Sequence, residues 1–121
     1  MRDILIVDDN VALRNALKLA LEAAGFCVRL AAHGGEAMAL QIERPADVLI
    51  TDIFMPEKDG FEVIDSFRRA YPDTRVIAIS GDAQRTQGEY LPAAVLVGAD
   101  ATLKKPFQIE DLLDILRSLA A

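Results

Sequence analysis

Three aspartates stand at the ends of short apolar runs in this sequence. Asp8 and Asp9 follow the run at residues 4–7, and Asp52 comes just after the run at residues 48–50. If the fold brings them together, each pair of carboxylates about 4 Å apart repels by roughly 4 kcal/mol at an effective dielectric constant of 20. Protonation of one member or a bound cation can offset that repulsion. Neither Cys nor His lies nearby in the sequence, and an oxygen-only donor set favours Mg²⁺ over Zn²⁺.

A hydroxyl group and an ammonium group follow two later apolar runs. Ser80 comes after residues 76–79, and a pair of lysines at residues 104–105 comes after residues 101–103. A cation and an ammonium stabilise the negative charge of phosphoryl transfer, and an aspartate can be the nucleophile. Asp52 stands alone at its strand end, whereas Asp8 and Asp9 are adjacent and better placed to hold a metal ion. The sequence therefore predicts Asp52 as the acceptor of a phosphoryl group.

The elements that must position these residues alternate along the chain. Branched apolar runs and weaker strand candidates alternate with stretches of helical period, which predicts an α/β fold with a doubly wound parallel sheet and helices on both faces. In the flavodoxin-like strand order 2-1-3-4-5, the first and third of five strands are neighbours, and ligands bind at the carboxyl edge. The predicted strands are 4–7, 26–30, 48–50, 76–79 and 101–103, and the predicted helices are 11–24, 35–43, 60–70, about 90–97 and 107–119.

Length and composition narrow the classes of protein. The 121 residues predict one domain, residues 1–121, and a net charge of -6 argues against direct binding of nucleic acid. No apolar run reaches the roughly 20 residues of a membrane span, and the start does not read as a signal peptide, so we expect a cytoplasmic protein without membrane insertion. We interpret the lone Cys27 as a small apolar filler, and we assign His33 no role.

The motifs together resemble the receiver domain of two-component response regulators over essentially the whole chain. The matching segments are residues 4–10, 52–60, 79–80, 98–100 and 105–107, and the third-strand segment is the most specific of them. The resemblance implies that Asp52 takes its phosphoryl group from a phosphohistidine on a sensor histidine kinase or a histidine phosphotransfer protein. The domain would catalyse its own phosphorylation and dephosphorylation, and it would switch a protein-binding face for an unknown downstream protein.

The resemblance also implies roles for the individual site residues. Asp9 and Asp52 would ligate Mg²⁺ directly, together with the backbone carbonyl of Phe54, and Asp8 would act through water. Ser80 and a lysine would bind the phosphoryl oxygens. Side chains alternate along a strand, so one lysine of the pair 104–105 faces the pocket, and the family pattern selects Lys105. The family often has a cis peptide bond after this lysine.

Two departures from the family pattern leave the output open. Thr102 stands where the family usually has the aromatic residue that reports phosphorylation, and the stretch after Ser80 is a few residues longer than usual. One alternative is therefore a degenerate receiver that binds a partner constitutively. The other is an aspartate-nucleophile phosphatase, but that family needs a second aspartate two positions after the first, where this chain has Asn10.

Overall fold

The computed structural model describes residues 3–53, 60–80 and 98–120. Strands and helices alternate through these ranges because branched apolar runs favour buried strands and the segments of helical period place one apolar face against them. In chain order the elements are β1 (Asp3–Val7), α1 (Val11–Ala23), β2 (Cys27–Ala31), α2 (Gly34–Glu43), β3 (Val48–Asp52), α3 (Gly60–Ala70), β4 (Arg75–Ser80), β5 (Ala101–Lys104) and α4 (Ile109–Ala120).

The five strands form one parallel sheet in the order β2-β1-β3-β4-β5. The predicted fold class and strand order are therefore confirmed. The connection from β1 runs out to the edge strand β2, whereas the later connections step the other way through β3 and β4. This reversal of direction lies between β1 and β3, so the carboxyl ends of these two strands border the crevice where ligands bind in such sheets.

The sheet is covered on both faces, which explains why its strands are apolar without alternation. Leu5, Leu49 and Val76 belong to a core that includes Phe67 of α3. Alternate residues of the same strands pack on the other face against α1 and α4, where Leu21 and the other core side chains are almost fully buried. Because successive side chains of a strand point to opposite faces, β1, β2, β3 and β4 each contribute to both cores.

The last helix begins later than the sequence predicts. The predicted helix 107–119 has Pro106 at its start, whereas α4 begins at Ile109 and the cis Lys105–Pro106 peptide bond lies before it. Gln108 explains the difference, since its backbone N–H donates to the Asp111 carboxylate (3.1 Å) and its carbonyl accepts from the Asp111 N–H (3.0 Å). These two bonds satisfy groups at the first turn of α4, so that turn begins after Gln108.

The interpretation of Cys27 as a small apolar filler is wrong. Cys27 is exposed, because it is the first residue of β2, and β2 is an edge strand of the sheet. Gly25 follows the C-cap residue Ala24 of α1 with a positive φ of 100°. A glycine adopts this conformation without the steric cost that a side chain would bring.

Some predictions fall on residues outside the described ranges. The predicted helix at about 90–97, the long stretch after Ser80 and the carbonyl of Phe54 lie there. Within the described ranges, no helix combines the length and the apolar character that crossing a membrane requires.

Candidate functional site

The carboxyl edge of the sheet brings the three aspartates together. Asp8 directly follows β1 and Asp52 is the last residue of β3, and these strands are paired in register with Val7 opposite Thr51. One carboxylate oxygen from each of Asp8, Asp9 and Asp52 lies within 4.8 Å of the others. Asp8 and Asp52 are buried, with 2% and 6% of their surface exposed, whereas Asp9 is exposed.

A lysine ammonium reaches the two buried carboxylates from the end of β5, which β4 separates from β3. The Nζ atom of Lys105 lies 3.3 Å from Oδ2 of Asp8 and 3.5 Å from Oδ2 of Asp52. Lys105 is partly buried, whereas Lys104 is exposed, as alternation along the strand predicts. Lys105 follows β5, whose last residue pairs with Ser80 of β4. The backbone of Ser80 therefore ends its strand at the same edge, while its side chain is not part of the description.

The chain at the start of α1 fixes the first two aspartates. Asn10 is the N-cap of α1, and its side-chain oxygen accepts a hydrogen bond from the Leu13 N–H (3.0 Å). The Asp8 carboxylate accepts from the Asn10 N–H (2.8 Å), while the Asp8 N–H donates to the Ala31 carbonyl (3.1 Å). The Asp8 side chain thus has two partners with positive or partial positive charge, the Asn10 N–H and the Lys105 ammonium.

The balance of charge at this edge favours a cation. Three carboxylates face one ammonium group, that of Lys105, among the side chains shown to reach them in the described ranges. Each pair at the 4.8 Å limit repels by about 1 kcal/mol in water and about 3.5 kcal/mol at an effective dielectric constant of 20. The donors are all oxygen atoms, so the set fits a hard divalent ion such as Mg²⁺ and gives no thiolate or imidazole for Zn²⁺.

An apolar groove opens beside the acidic cluster. It has a volume of about 590 Å³ and lies between α1 and the segment that joins β5 to α4. Asn10 and Lys105 border it at the end nearest the cluster, and Leu13, Leu17 and Phe107 line its apolar part. Lys105, which contacts Asp52, thus belongs both to the border of the groove and to the acidic cluster.

A sequence profile described as the response regulator receiver domain matches residues 4–117 of this chain. The chain belongs to this family. The resemblance inferred from the motifs is therefore confirmed, and the protein is a receiver domain of the two-component response regulators. Its acidic cluster stands where the family resemblance leads us to expect the metal site, and the roles of the individual residues stay predictions.

Curated relatives and solved structures agree with this assignment. The receiver domain is 36% identical over 116 residues to the response regulators MprA of Mycobacterium sp. (strain KMS) and Mycobacterium bovis (strain BCG / Pasteur 1173P2), which covers 96% of this chain and 49% of each relative. The chain thus spans about half the length of these relatives.

Two solved structures are similar over nearly their whole length. The chemotaxis response regulator CheY4 of Vibrio cholerae is 34% identical, with a TM-score of 0.86, and the match covers 98% of both chains. The receiver domain of NtrX from Brucella abortus is 28% identical, with a TM-score of 0.89, and the match covers 96% of both chains.

Two residues at this edge have roles that the sequence analysis missed. His33 caps α2, because its Nδ1 atom accepts hydrogen bonds from the Gly35 N–H (3.1 Å) and the Glu36 N–H (3.3 Å). Arg14 of α1 donates from a guanidinium nitrogen to the backbone carbonyl of Asp8 (3.0 Å). The only sequence signal for Arg14 was its place one turn after the N-cap Asn10, which puts it above the end of β1.

Proposed function

We propose that this receiver domain accepts a phosphoryl group on Asp52 from a phosphohistidine of a sensor histidine kinase or a histidine phosphotransfer protein. The observation that carries the proposal is the convergence of Asp8, Asp9 and Asp52 within 4.8 Å, with Lys105 in contact with two of them. The family membership adds the donor class, and residues 1–121 are taken as one receiver domain.

Asp52 is the nucleophile of the proposed transfer. Its carboxylate oxygen attacks phosphorus, the bond between phosphorus and the donor imidazole nitrogen breaks, and the product is an aspartyl phosphate on the domain. Asp52 is buried at the end of β3, so the attacking carboxylate is held in place by the sheet. A fixed carboxylate in a largely water-excluded position loses little entropy when the donor arrives.

The residues around Asp52 have separate tasks in this proposal. Asp9, Asp52 and the carbonyl of Phe54 would hold Mg²⁺ directly, and Asp8 would act through water. When bound, the ion supplies positive charge that stabilises the phosphoryl oxygens during transfer. Ser80 contacts a phosphoryl oxygen as well.

Lys105 changes partners during the proposed reaction. Before transfer, its ammonium neutralises part of the charge of Asp8 and Asp52, at 3.3 and 3.5 Å. During transfer it follows the charge that moves onto the phosphoryl oxygens, so its interaction is stronger in the transition state than before it. Lys105 is 20% exposed and sits on the connection after β5, which leaves its side chain room to turn.

The phosphorylated domain acts as a signal and turns over no separate metabolite. It catalyses its own phosphorylation and the hydrolysis of the resulting aspartyl phosphate. Its output is a contact with a downstream protein. The apolar groove beside Lys105 gives the phosphohistidine donor a surface next to Asp52. A cytoplasmic location is part of the proposal and rests on the family.

Thr102 favours a second candidate function, that of a constitutive binding module. Thr102 lies in β5 opposite Ala78, and it offers no aromatic ring to move on phosphorylation. A constitutive module binds its partner equally well with and without acyl phosphate and Mg²⁺. A phosphorylation-dependent receiver binds it differently in the two states.

Intact-mass spectrometry tests the main proposal. The domain is incubated with acetyl phosphate and Mg²⁺, and Asp52→Asn serves as the matched variant. Wild type should gain the mass of one phosphoryl group, and this gain should disappear without Mg²⁺ and in Asp52→Asn. An equal gain in the variant would contradict the proposal. Turnover of a generic phosphate ester that survives the loss of Asp52 would favour the phosphatase alternative.

A further inference from the structure

We propose that Arg14 is a positioning residue that sets the geometry of the metal site through the backbone around Asp9. This inference rests on the proposed function, because it assigns a residue to the Mg²⁺ site of that function. It goes beyond the family motif segments, which do not include Arg14.

The first observation concerns the peptide that precedes Asp9. Arg14 donates a hydrogen bond to the carbonyl oxygen of Asp8, and the donor and acceptor atoms are 3.0 Å apart. A peptide unit is planar, so fixing this oxygen also fixes the direction of the Asp9 N–H and the position of the Asp9 Cα atom. Arg14 therefore fixes the peptide that precedes Asp9.

The second observation concerns the peptide that follows Asp9. Its N–H belongs to Asn10 and donates to the Asp8 carboxylate (2.8 Å). Both peptides that flank Asp9 are thus held by side chains, while Asp9 itself is exposed and no bond to its own carboxylate is found among the described residues. The two bonds consequently fix the Cα atom of Asp9 and the direction in which its side chain leaves the backbone.

The third observation concerns the Nε atom of the Arg14 guanidinium. Its Nε atom is buried and has no hydrogen-bond partner in the part of the chain that the structure describes. A buried polar atom without a partner is unfavourable, and the bond from the guanidinium to the Asp8 carbonyl offsets part of that cost.

Charge and position predict opposite effects for the loss of Arg14. If only its positive charge matters, removing Arg14 makes the site more negative and strengthens Mg²⁺ binding. If Arg14 positions Asp9, removing it lets the ligand move and weakens binding. Outer partners of metal ligands typically contribute about 10- to 100-fold in metal affinity. The sign of the change therefore separates the two explanations.

The test is calorimetric titration of Mg²⁺ into wild type, Arg14→Met and Lys18→Met. Lys18 lies one turn further along α1 on the same side of the helix and carries the same charge, so Lys18→Met is the matched control. We expect Arg14→Met to bind Mg²⁺ about tenfold more weakly than wild type and Lys18→Met to bind it as wild type does. Unchanged or tighter binding by Arg14→Met would overturn the inference.

A second readout separates positioning from catalysis. Because Arg14 does not touch the phosphoryl group, saturating Mg²⁺ should restore phosphorylation of Arg14→Met by acetyl phosphate to the wild-type extent. A deficit that persists at saturation would contradict the positioning role. If circular dichroism shows that Arg14→Met does not fold, Arg14→Lys decides. Its single nitrogen keeps the charge but lacks the guanidinium fork, so several-fold weaker binding is expected and unchanged binding would refute the inference.

Failure of the inference can be told from failure of the proposed function. Wild type that takes up no Mg²⁺ would contradict the proposed function itself. Wild type that binds Mg²⁺ as tightly as Arg14→Met would contradict only the role of Arg14.

Discussion

Replacing Asp9 with asparagine should stabilise the metal-free domain, although it removes a proposed ligand. The change takes away one of three negative charges within 4.8 Å of one another and keeps nearly the same side-chain shape. Each of the two pairs that Asp9 makes repels by about 1 kcal/mol if water screens it fully and by more if it does not. Asp9 is exposed, so the screened value applies and the total relief is about 2 kcal/mol.

The contacts of Lys105 make Asp9 the right residue for this test. The lysine ammonium lies 3.3 and 3.5 Å from Asp8 and Asp52, and both contacts remain in Asp9→Asn. In Asp52→Asn the relief of repulsion would be offset by the weakened contact with Lys105. The stability change in Asp9→Asn thus reports the repulsion within the cluster without the loss of either Lys105 contact.

Urea unfolding with and without Mg²⁺ measures the effect. In the presence of a chelator, the free energy of unfolding of Asp9→Asn should exceed that of wild type by about 2 kcal/mol. At a Mg²⁺ concentration 100 times its dissociation constant, wild type should gain about 2.7 kcal/mol, whereas the variant should gain little. Saturating Mg²⁺ should therefore remove or reverse the difference between the two proteins.

Asp73→Asn is the control for the loss of an exposed charge elsewhere. Asp73 lies in the turn before β4, at the opposite edge of the sheet from the cluster. Its replacement should change the free energy of unfolding by less than about 0.5 kcal/mol under both conditions. The reasoning is refuted if Asp9→Asn is no more stable than wild type without metal, or if Mg²⁺ stabilises both proteins equally.

Three further predictions concern residues around and away from the cluster. Lys105→Met should bind Mg²⁺ more tightly than wild type in calorimetry, because the variant lacks a cation that competes for the carboxylates. Its rate of phosphorylation by acetyl phosphate should nevertheless fall. An unchanged rate would exclude the proposed role of Lys105 in stabilising the phosphoryl oxygens. Gly98→Ala should lower the free energy of unfolding by about 1–3 kcal/mol in urea, since φ is 119° and the new Cβ would lie 2.5 Å from Cγ of Arg68. Gly25 has a similar φ of 100° but open space around it, so Gly25→Ala should lower the free energy of unfolding by less than Gly98→Ala does. Equal losses in the two variants would argue against the Arg68 contact. Thr74→Val should lower stability by about 1–3 kcal/mol, because the buried Thr74 hydroxyl bridges α2 and the chain before β3; no change in its unfolding midpoint would show that the bridge contributes nothing.

The sequence was sufficient to predict the convergence of the acidic residues. Asp8 and Asp52 end apolar runs, and the carboxyl ends of parallel strands share one edge. The prediction still needed β1 and β3 to be neighbours, which the flavodoxin-like order supplied and the structure confirms. Alternation along β5 and the family pattern then selected Lys105, and the structure places this lysine at the cluster.

Contacts between side chains and distant backbone were not predictable from the sequence. Arg14 reaches the Asp8 carbonyl because α1 folds back over the end of β1, and residue spacing alone does not specify that path. His33 caps α2 although histidine is not among the preferred N-cap residues, so propensity gave no signal for it.

Local pattern also failed where the position in the sheet decides burial. The sequence interpretation makes Cys27 a small apolar filler of the second predicted strand, but that strand is at the edge of the sheet and Cys27, its first residue, is exposed. The start of α4 was misplaced because periodicity reports the apolar face of a helix and not the polar bonds that begin it. Gln108 and Asp111 make those bonds.

The most direct test of the account is to locate the phosphoryl group on the chain. The domain is phosphorylated with acetyl phosphate and Mg²⁺ and treated with borohydride, which reduces an aspartyl phosphate to homoserine, and its peptides are then sequenced by mass spectrometry. The account predicts homoserine at Asp52 and unmodified residues at Asp8 and Asp9, and none of the three modified when Mg²⁺ is left out. Homoserine at Asp8 or Asp9 in wild type, or modification of Asp52 that does not depend on Mg²⁺, would contradict it.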